Sequence, residues 1–243
     1  MTKREKITHA IYISAIAILL LATIILSYNL FWKKGDDLTD HQKYYQAKCN
    51  AYSVQNFNAS KGQIIFIGDS ITDLYPLDDY YADLGLATYN RGIGGDTTSG
   101  VLDRLKVSLF DLAPTRVVLL IGTNDINGGV SKEQILENYR KIIKQIRENL
   151  PDTELYCVSI IPQNKDLEAY TSIKVDTTTP VILEMNEQIK EIIKDDSKIT
   201  YVDLFSRVAD ENNMLIKEYS DDGIHLNKNG FEVWTSLIKP YFE

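Results

Sequence analysis

From Lys61 onward, short apolar runs alternate with longer stretches of helical period. The runs are Ile64–Ile67, Ala87–Tyr89, Val117–Ile121, Leu155–Ile161 and Ile199–Leu204. Several are near-continuous, the pattern of parallel strands covered on both faces. Between them, Ser131-Lys132-Glu133-Gln134 has the spacing of a capping box, with the serine as N-cap and the glutamine reaching back. It opens a stripe of Ile135, Tyr139, Ile142, Ile143 and Ile146 that closes before Pro151. A second helix is predicted from Pro180, a good first-turn residue, with Met185, Ile189, Ile192 and Ile193 on one face. A last helix from about Asn227 buries Phe231, Trp234, Leu237 and Ile238. The alternation predicts an α/β domain over residues 61–243, a three-layer α/β/α sandwich around a central, mostly parallel five-stranded sheet. Ligands of such folds bind at the carboxyl ends of the strands.

The first sixty residues follow other rules. Ala10 to Trp32 contains no charged residue and is rich in Ile, Leu and Ala. As a helix, that length covers a hydrocarbon core of about 30 Å. Its exit, Ser27-Tyr28-Asn29-Leu30-Phe31-Trp32, is bulky and aromatic, which suits a membrane interface better than a signal-peptide cleavage site. Residues 10–32 are therefore expected to be a retained transmembrane anchor. Residues 1–9 form a short cytoplasmic tail, and residues 33–60 a stalk or packing helix. Lys3, Arg4 and Lys6 precede the span and only Lys33 and Lys34 follow it. The expected location is thus the cell membrane, single-pass, with the N-terminus inside and the catalytic domain outside.

Composition narrows the partners. The net charge of -8, with no concentrated basic face, argues against nucleic acid. Two cysteines, Cys49 in a polar stretch and Cys157 in an apolar run, read most simply as separate thiols. Oligomeric state is left open by the sequence.

The chemistry-bearing residues fall at strand ends. Gly68-Asp69-Ser70 follows the first apolar run, Asn90 to Thr97 the second, and Gly122-Thr123-Asn124-Asp125 the third. Asp222-Gly223-Ile224-His225 comes just before the last helix, and His225 is the one histidine placed within the α/β domain. A serine becomes a nucleophile when an imidazole takes its proton and a carboxylate holds that imidazole. Ser70, His225 and Asp222 supply the three parts. Oxyanion donors are available from the Ser70 amide, a glycine of Gly92-Ile93-Gly94-Gly95, and the Asn124 side chain. The glycines lack the Rossmann spacing, and no Gly-Lys-Ser/Thr phosphate loop is present, so nucleotide binding is rejected. Asp69, Ile71, Asp73, Thr97, Thr123, Ile161 and Pro162 stand beside these blocks as candidate pocket residues. The polar segment Gln163–Thr179 is a candidate overhang.

In order and wording, these blocks resemble the SGNH hydrolases, also called GDSL-type esterases and lipases, over about Gly62 to Phe242. Gly68-Asp69-Ser70-Ile71-Thr72 is similar to the first block, with Ile71 where many members have leucine. Asn90 to Thr97 is similar to the second, closest to the bacterial branch that looks like platelet-activating-factor acetylhydrolase catalytic subunits. Gly122-Thr123-Asn124-Asp125 is similar to the third and Asp222-Gly223-Ile224-His225 to the fifth. The resemblance implies Ser70, Asp222 and His225 as catalytic residues, and Ser70, Gly95 and Asn124 as oxyanion hole. It also implies no metal and no cofactor. The expected activity is hydrolysis of a short acyl ester, acetyl first, on a small ester or an acylated envelope polymer. The alternatives are acyl transfer to an envelope glycan by the same triad, and an anchored binding protein without catalysis.

Overall fold

A computed structural model describes residues 3–31, 38–167 and 175–243. Trp32, Lys33, Lys34, Asp36 and Asp37 lie outside the described residues, as do positions 168–174 of the expected overhang. The chain divides into two compact units, Met1–Gln46 and Ala47–Glu243. In the first, helix α1 runs from Lys3 to Phe31. Its described side chains from Tyr12 to Tyr28 are all exposed. A membrane span was expected over residues 10–32; among the described residues, no helix is long and apolar enough to cross a membrane. Helix α2 (Asp40–Asn56) begins in the first unit and ends in the second. A reciprocal box opens it: the Gln42 amide donates to Thr39 Oγ1 at 3.2 Å and the Thr39 amide to Gln42 Oε1 at 2.9 Å.

In the second unit, the elements follow as β1 (Ile64–Gly68), α3 (Ser70–Asp73), α4 (Leu77–Tyr81), β2 (Thr88–Gly92) and α5 (Thr98–Asp103). Then come β3 (Arg116–Leu120), α6 (Thr123–Asn127), α7 (Lys132–Asn149), β4 (Glu154–Val158), α8 (Val175–Ile193), β5 (Ile199–Val202), α9 (Phe205–Val208) and α10 (Lys228–Ile238). The sheet is five-stranded and parallel, in the order β2-β1-β3-β4-β5. Alternate strand residues feed two cores. Ile65, Ile67, Val117, Leu119, Leu155 and Cys157 pack with Val101, Tyr139, Ile142 and Met185. Ile64, Phe66, Val118, Leu120, Tyr156 and Val158 pack with Tyr75, Tyr81, Phe231 and Trp234. Both faces are thus buried, which is why the strands read as unbroken apolar runs.

Register fixes the rim. Gly68 pairs with Gly92 on one side and with Leu120 on the other, so the ends of β1, β2 and β3 are level. The loops after them carry Ser70, Gly95 and Asn124.

Some expected boundaries move. The run Leu155–Ile161 leaves the sheet after Val158, yet Ile160 and Ile161 stay buried. The Asn186 side chain accepts from the Ile160 amide at 2.8 Å and donates to its carbonyl at 2.9 Å, doing what a neighbouring strand would do. Helix α8 starts at Val175 rather than at Pro180, which lies inside it. That position costs the one backbone bond a proline cannot donate. Ser131 Oγ does cap α7, accepting from the Gln134 amide at 3.3 Å. Gln134 does not reach back: its Nε2 donates to Asn138 Oδ1, one turn on, at 3.0 Å. Cys49 and Cys157 are separate thiols, and burial pushes that of Cys157 up to about 12.

Candidate active site

Strand β1 stops at Gly68, and Asp69 caps the short helix α3 by accepting the Ile71 amide at 3.0 Å. Ser70 thereby becomes the first residue of α3, and its own amide has no acceptor within the helix. The Ser70 hydroxyl is half-buried and lies 2.8 Å from His225 Nε2.

His225 reaches Ser70 from a tight turn before α10. Its Nδ1 is 2.5 Å from Asp222 Oδ2. A carboxylate only accepts, so Nδ1 carries the proton and Nε2 faces Ser70 as a base. The turn holds Asp222 from both sides, because its Oδ1 accepts the amides of Ile224 and His225 at 2.8 Å each. Burial raises the Asp222 carboxyl, but bonds from the His225 ring and from those two amides outweigh it, leaving the group below its ordinary range. Gly223 is needed here: it has φ +87°, and a Cβ there would sit 2.3 Å from the Asn164 carbonyl oxygen. The Asn164 amide in turn donates to the Gly223 carbonyl at 2.8 Å.

The facing wall comes from the loops after β2 and β3. Gly95 has φ +75°, the left-handed conformation that turns the loop toward α5. Asn124, near the start of α6, donates from Nδ2 to the Asp96 carbonyl at 2.9 Å. An amide nitrogen carries two protons, so one is left to point at a ligand. The Asp96 side chain is locked by Arg104: Nε lies 2.8 Å from Oδ2, and the two side chains are at most 2% exposed. Arg104 also donates to the carbonyls of Arg91 at 2.7 Å and Gly68 at 2.9 Å, and to Ser108 Oγ at 2.9 Å. One buried cation therefore ties the ends of β1 and β2 to the Gly95-Asp96 loop. Asp125 grips the same loop further along, accepting the Thr98 amide at 2.9 Å and the Thr98 hydroxyl at 2.6 Å.

This geometry is accompanied by sequence kinship. Residues 66–233 match the GDSL-like Lipase/Acylhydrolase family. The chain belongs to that family. Platelet-activating factor acetylhydrolase IB subunit alpha1 of Bos taurus is 32% identical to this acylhydrolase-family chain over 106 residues, 42% of this chain and 45% of the bovine one. The chain spans about half the length of the curated relatives it matches. A solved structure described as a platelet activating factor from Streptococcus pneumonia superposes with a TM-score of 0.77 at 29% identity, covering 94% of this chain and 99% of that one. A GDSL-like lipase from Bacteroides thetaiotaomicron VPI-5482 shares the fold, with a TM-score of 0.70 at 22% identity over 80% of this chain and 96% of its own. The family is one of carboxylic ester hydrolases.

Among the other expected site residues, Asp69, Ile71, Thr123, Ile161 and Pro162 are buried, whereas Asp73 and Thr97 are half-buried. Thr97 caps α5 by accepting the Gly100 amide at 3.3 Å. Asp73 is engaged by Lys48 at 2.6 Å and by the Gly94 amide at 3.1 Å. Sequence reasoning passed over Arg104 and Lys48, and gave Asn90 no role beyond its place in the second block. Asn90 donates to the Thr72 carbonyl at 2.6 Å and accepts the Gly92 amide at 2.8 Å, bracing α3 against β2. Arg104 did leave a signal, since it sits in helical phase with Val101 and Ser108 on a stripe that is otherwise uncharged.

Proposed function

We propose that this protein is a serine esterase that removes short acyl groups, acetyl first, and that the uncharged segment of residues 10–32 anchors it in a membrane. The observation that carries the esterase reading is the continuous chain Ser70 Oγ, His225 Nε2, His225 Nδ1, Asp222 Oδ2, with links of 2.8 and 2.5 Å. In this reading Ser70 Oγ attacks the ester carbonyl while His225 Nε2 takes its proton. The resulting imidazolium is held by Asp222. The oxyanion forms between the Ser70 amide, the Gly95 amide and the free proton of Asn124 Nδ2. Collapse expels the alcohol, which takes the proton from His225. Water, deprotonated by the same histidine, then releases the acyl group and restores Ser70.

Short acyl groups are favoured by the packing beside the nucleophile. Ile71, Thr123 and Ile161 are at most 3% exposed, which leaves little apolar wall for a long chain. The matched bovine relative is named an acetylhydrolase. The test is hydrolysis of p-nitrophenyl acetate, butyrate and octanoate by the full chain in mild detergent, wild type beside Ser70→Ala. Turnover should fall with chain length and vanish in the variant; equal turnover by both proteins overturns the assignment.

The anchor reading is supported by the uncharged run from Ala10 to Trp32 and by apolar side chains such as Ile18 and Leu19, each 67% exposed on α1. The excess of Lys3, Arg4 and Lys6 over Lys33 and Lys34 favours a catalytic unit outside the cell. Membranes washed with alkaline carbonate should retain the chain, and recovery in the supernatant would discard the anchor.

A further inference from the structure

Helix α2 lies outside the residues that match the family, yet it is bonded to the end of β2 and, through Asp73, to the loop that carries Gly95. Lys48 Nζ donates to Asp73 Oδ1 at 2.6 Å, and Asp73 Oδ2 accepts the Gly94 amide at 3.1 Å. One turn further along α2, the Tyr52 hydroxyl donates to the Gly92 carbonyl. After another turn, Gln55 Oε1 and Asn56 Oδ1 accept from the Arg91 guanidinium at 3.0 Å each. That guanidinium also lies over the Tyr52 ring, 4.7 Å from its centroid. Positions 48, 52, 55 and 56 recur at helical spacing, so a single face of α2 grips Arg91 and Gly92 directly and reaches Gly94 through Asp73.

We propose that α2 is part of the catalytic scaffold, with Lys48 a positioning residue that acts through Asp73 on the oxyanion loop. The inference rests on the esterase reading, in which Gly95 donates to the oxyanion. The Lys48 and Asp73 side chains are 27% and 18% exposed, so water only partly screens their attraction. Asp73 is thereby held where its second oxygen fixes the Gly94 amide. With that amide fixed, the next peptide, which carries the Gly95 N–H, has a defined direction. An oxyanion donor acts on the transition state and scarcely on bound ester. Loosening it should therefore cost kcat and spare KM. A lysine that merely stabilised the fold would lower the melting temperature and leave kcat alone.

The test compares wild type, Lys48→Met, Lys48→Arg, Asp73→Asn and the Lys48→Met/Asp73→Asn double variant, each as the full chain, on p-nitrophenyl acetate below their melting temperatures. Lys48→Met should lower kcat about tenfold with KM within about a factor of two, a misplacement smaller than those that cost about a hundredfold. Lys48→Arg should restore most of the loss. The double variant should lose less than the product of the two single losses. Exchange of the Gly94 amide proton reads the same contact without substrate, and it should quicken in Lys48→Met. Unchanged kcat and unchanged exchange in Lys48→Met overturn the proposal, as do independent losses in the double variant. If wild type and Ser70→Ala turned over alike, the esterase reading would fall instead; the exchange data would then decide whether Lys48 holds the loop.

Discussion

His225 Nδ1 lies 2.5 Å from Asp222 Oδ2, although the two residues are only three apart in the chain. So short a separation leaves no room for an ordinary extended link, and the glycine between them takes φ +87°. The same turn leaves Asp222 Oδ1 on two backbone amides, which fixes the carboxylate before it meets the imidazole. In the proposed mechanism Asp222 is an orienting group, while His225 moves the proton. Asp222→Asn should lower kcat by about 10³ to 10⁴, and His225→Ala by more. Steady-state kinetics on p-nitrophenyl acetate checks the ranking, and a larger loss for Asp222→Asn would contradict the orienting role.

Asn124 spends one amide proton on the Asp96 carbonyl, at 2.9 Å. In the proposed mechanism the other serves the oxyanion. Asn124→Ala should therefore lower kcat by about 10² to 10³, the cost of one such donor, with a much smaller change in KM. The thermal midpoint should move little, since the Asn124 side chain is half-buried. A variant with wild-type kcat would remove Asn124 from the oxyanion hole.

The parts of the site legible in the sequence are those whose chemistry is local. Ser70 and Asp222–His225 stand in short blocks, and apolar runs place the first of these at a strand end. The central strands β1, β3 and β4 were legible because burial on both faces leaves continuous apolar runs. The same rule blurred their ends: Ile160 and Ile161 are as buried as a strand, but Ile160 bonds to the Asn186 side chain instead. Lys48 and Arg104 were not legible as site residues. Their partners lie 25 residues away in one case, and 4 to 36 in the other. Hydrophobic period carries no information about which distant carbonyl a buried cation will meet.

Arg104 makes the Gly95 loop depend on a buried charge. Its guanidinium serves Asp96, two strand-end carbonyls and Ser108. Arg104→Met leaves Asp96 buried without its partner and should cost about 3 to 5 kcal/mol of stability. Arg104→Lys should recover little, because one ammonium cannot span a planar fork of acceptors. Adding Asp96→Asn to Arg104→Met should restore part of the loss by removing the orphaned charge. Denaturant unfolding of the four proteins measures this. A double variant no more stable than Arg104→Met would show that the lost bonds to Gly68 and Arg91, not the stranded carboxylate, dominate.

Asp69 couples the stability of the fold to pH. It is fully buried beside Ser70, and its Oδ2 has no hydrogen-bond partner among the described residues. Desolvation, with smaller contributions from the Asp96 and Asp125 charges, lifts its carboxyl from 3.8 to about 7, against the pull of the Ile71 amide and Arg104. A neutral carboxyl is thus favoured in the folded state, whereas the unfolded chain ionises near the ordinary value. Between those two values the folded state binds more protons, so stability contributed by this group falls as pH rises and levels off above about 7. Asp69→Asn keeps an oxygen for the Ile71 amide and cannot ionise. The variant should gain on wild type as pH rises from 5 to 8, seen as a narrowing or reversal of the difference between their thermal midpoints. Parallel midpoints across that range would mean that Asp69 stays ionised when folded. The orphaned Oδ2 would then need another cation than Arg104 to balance it.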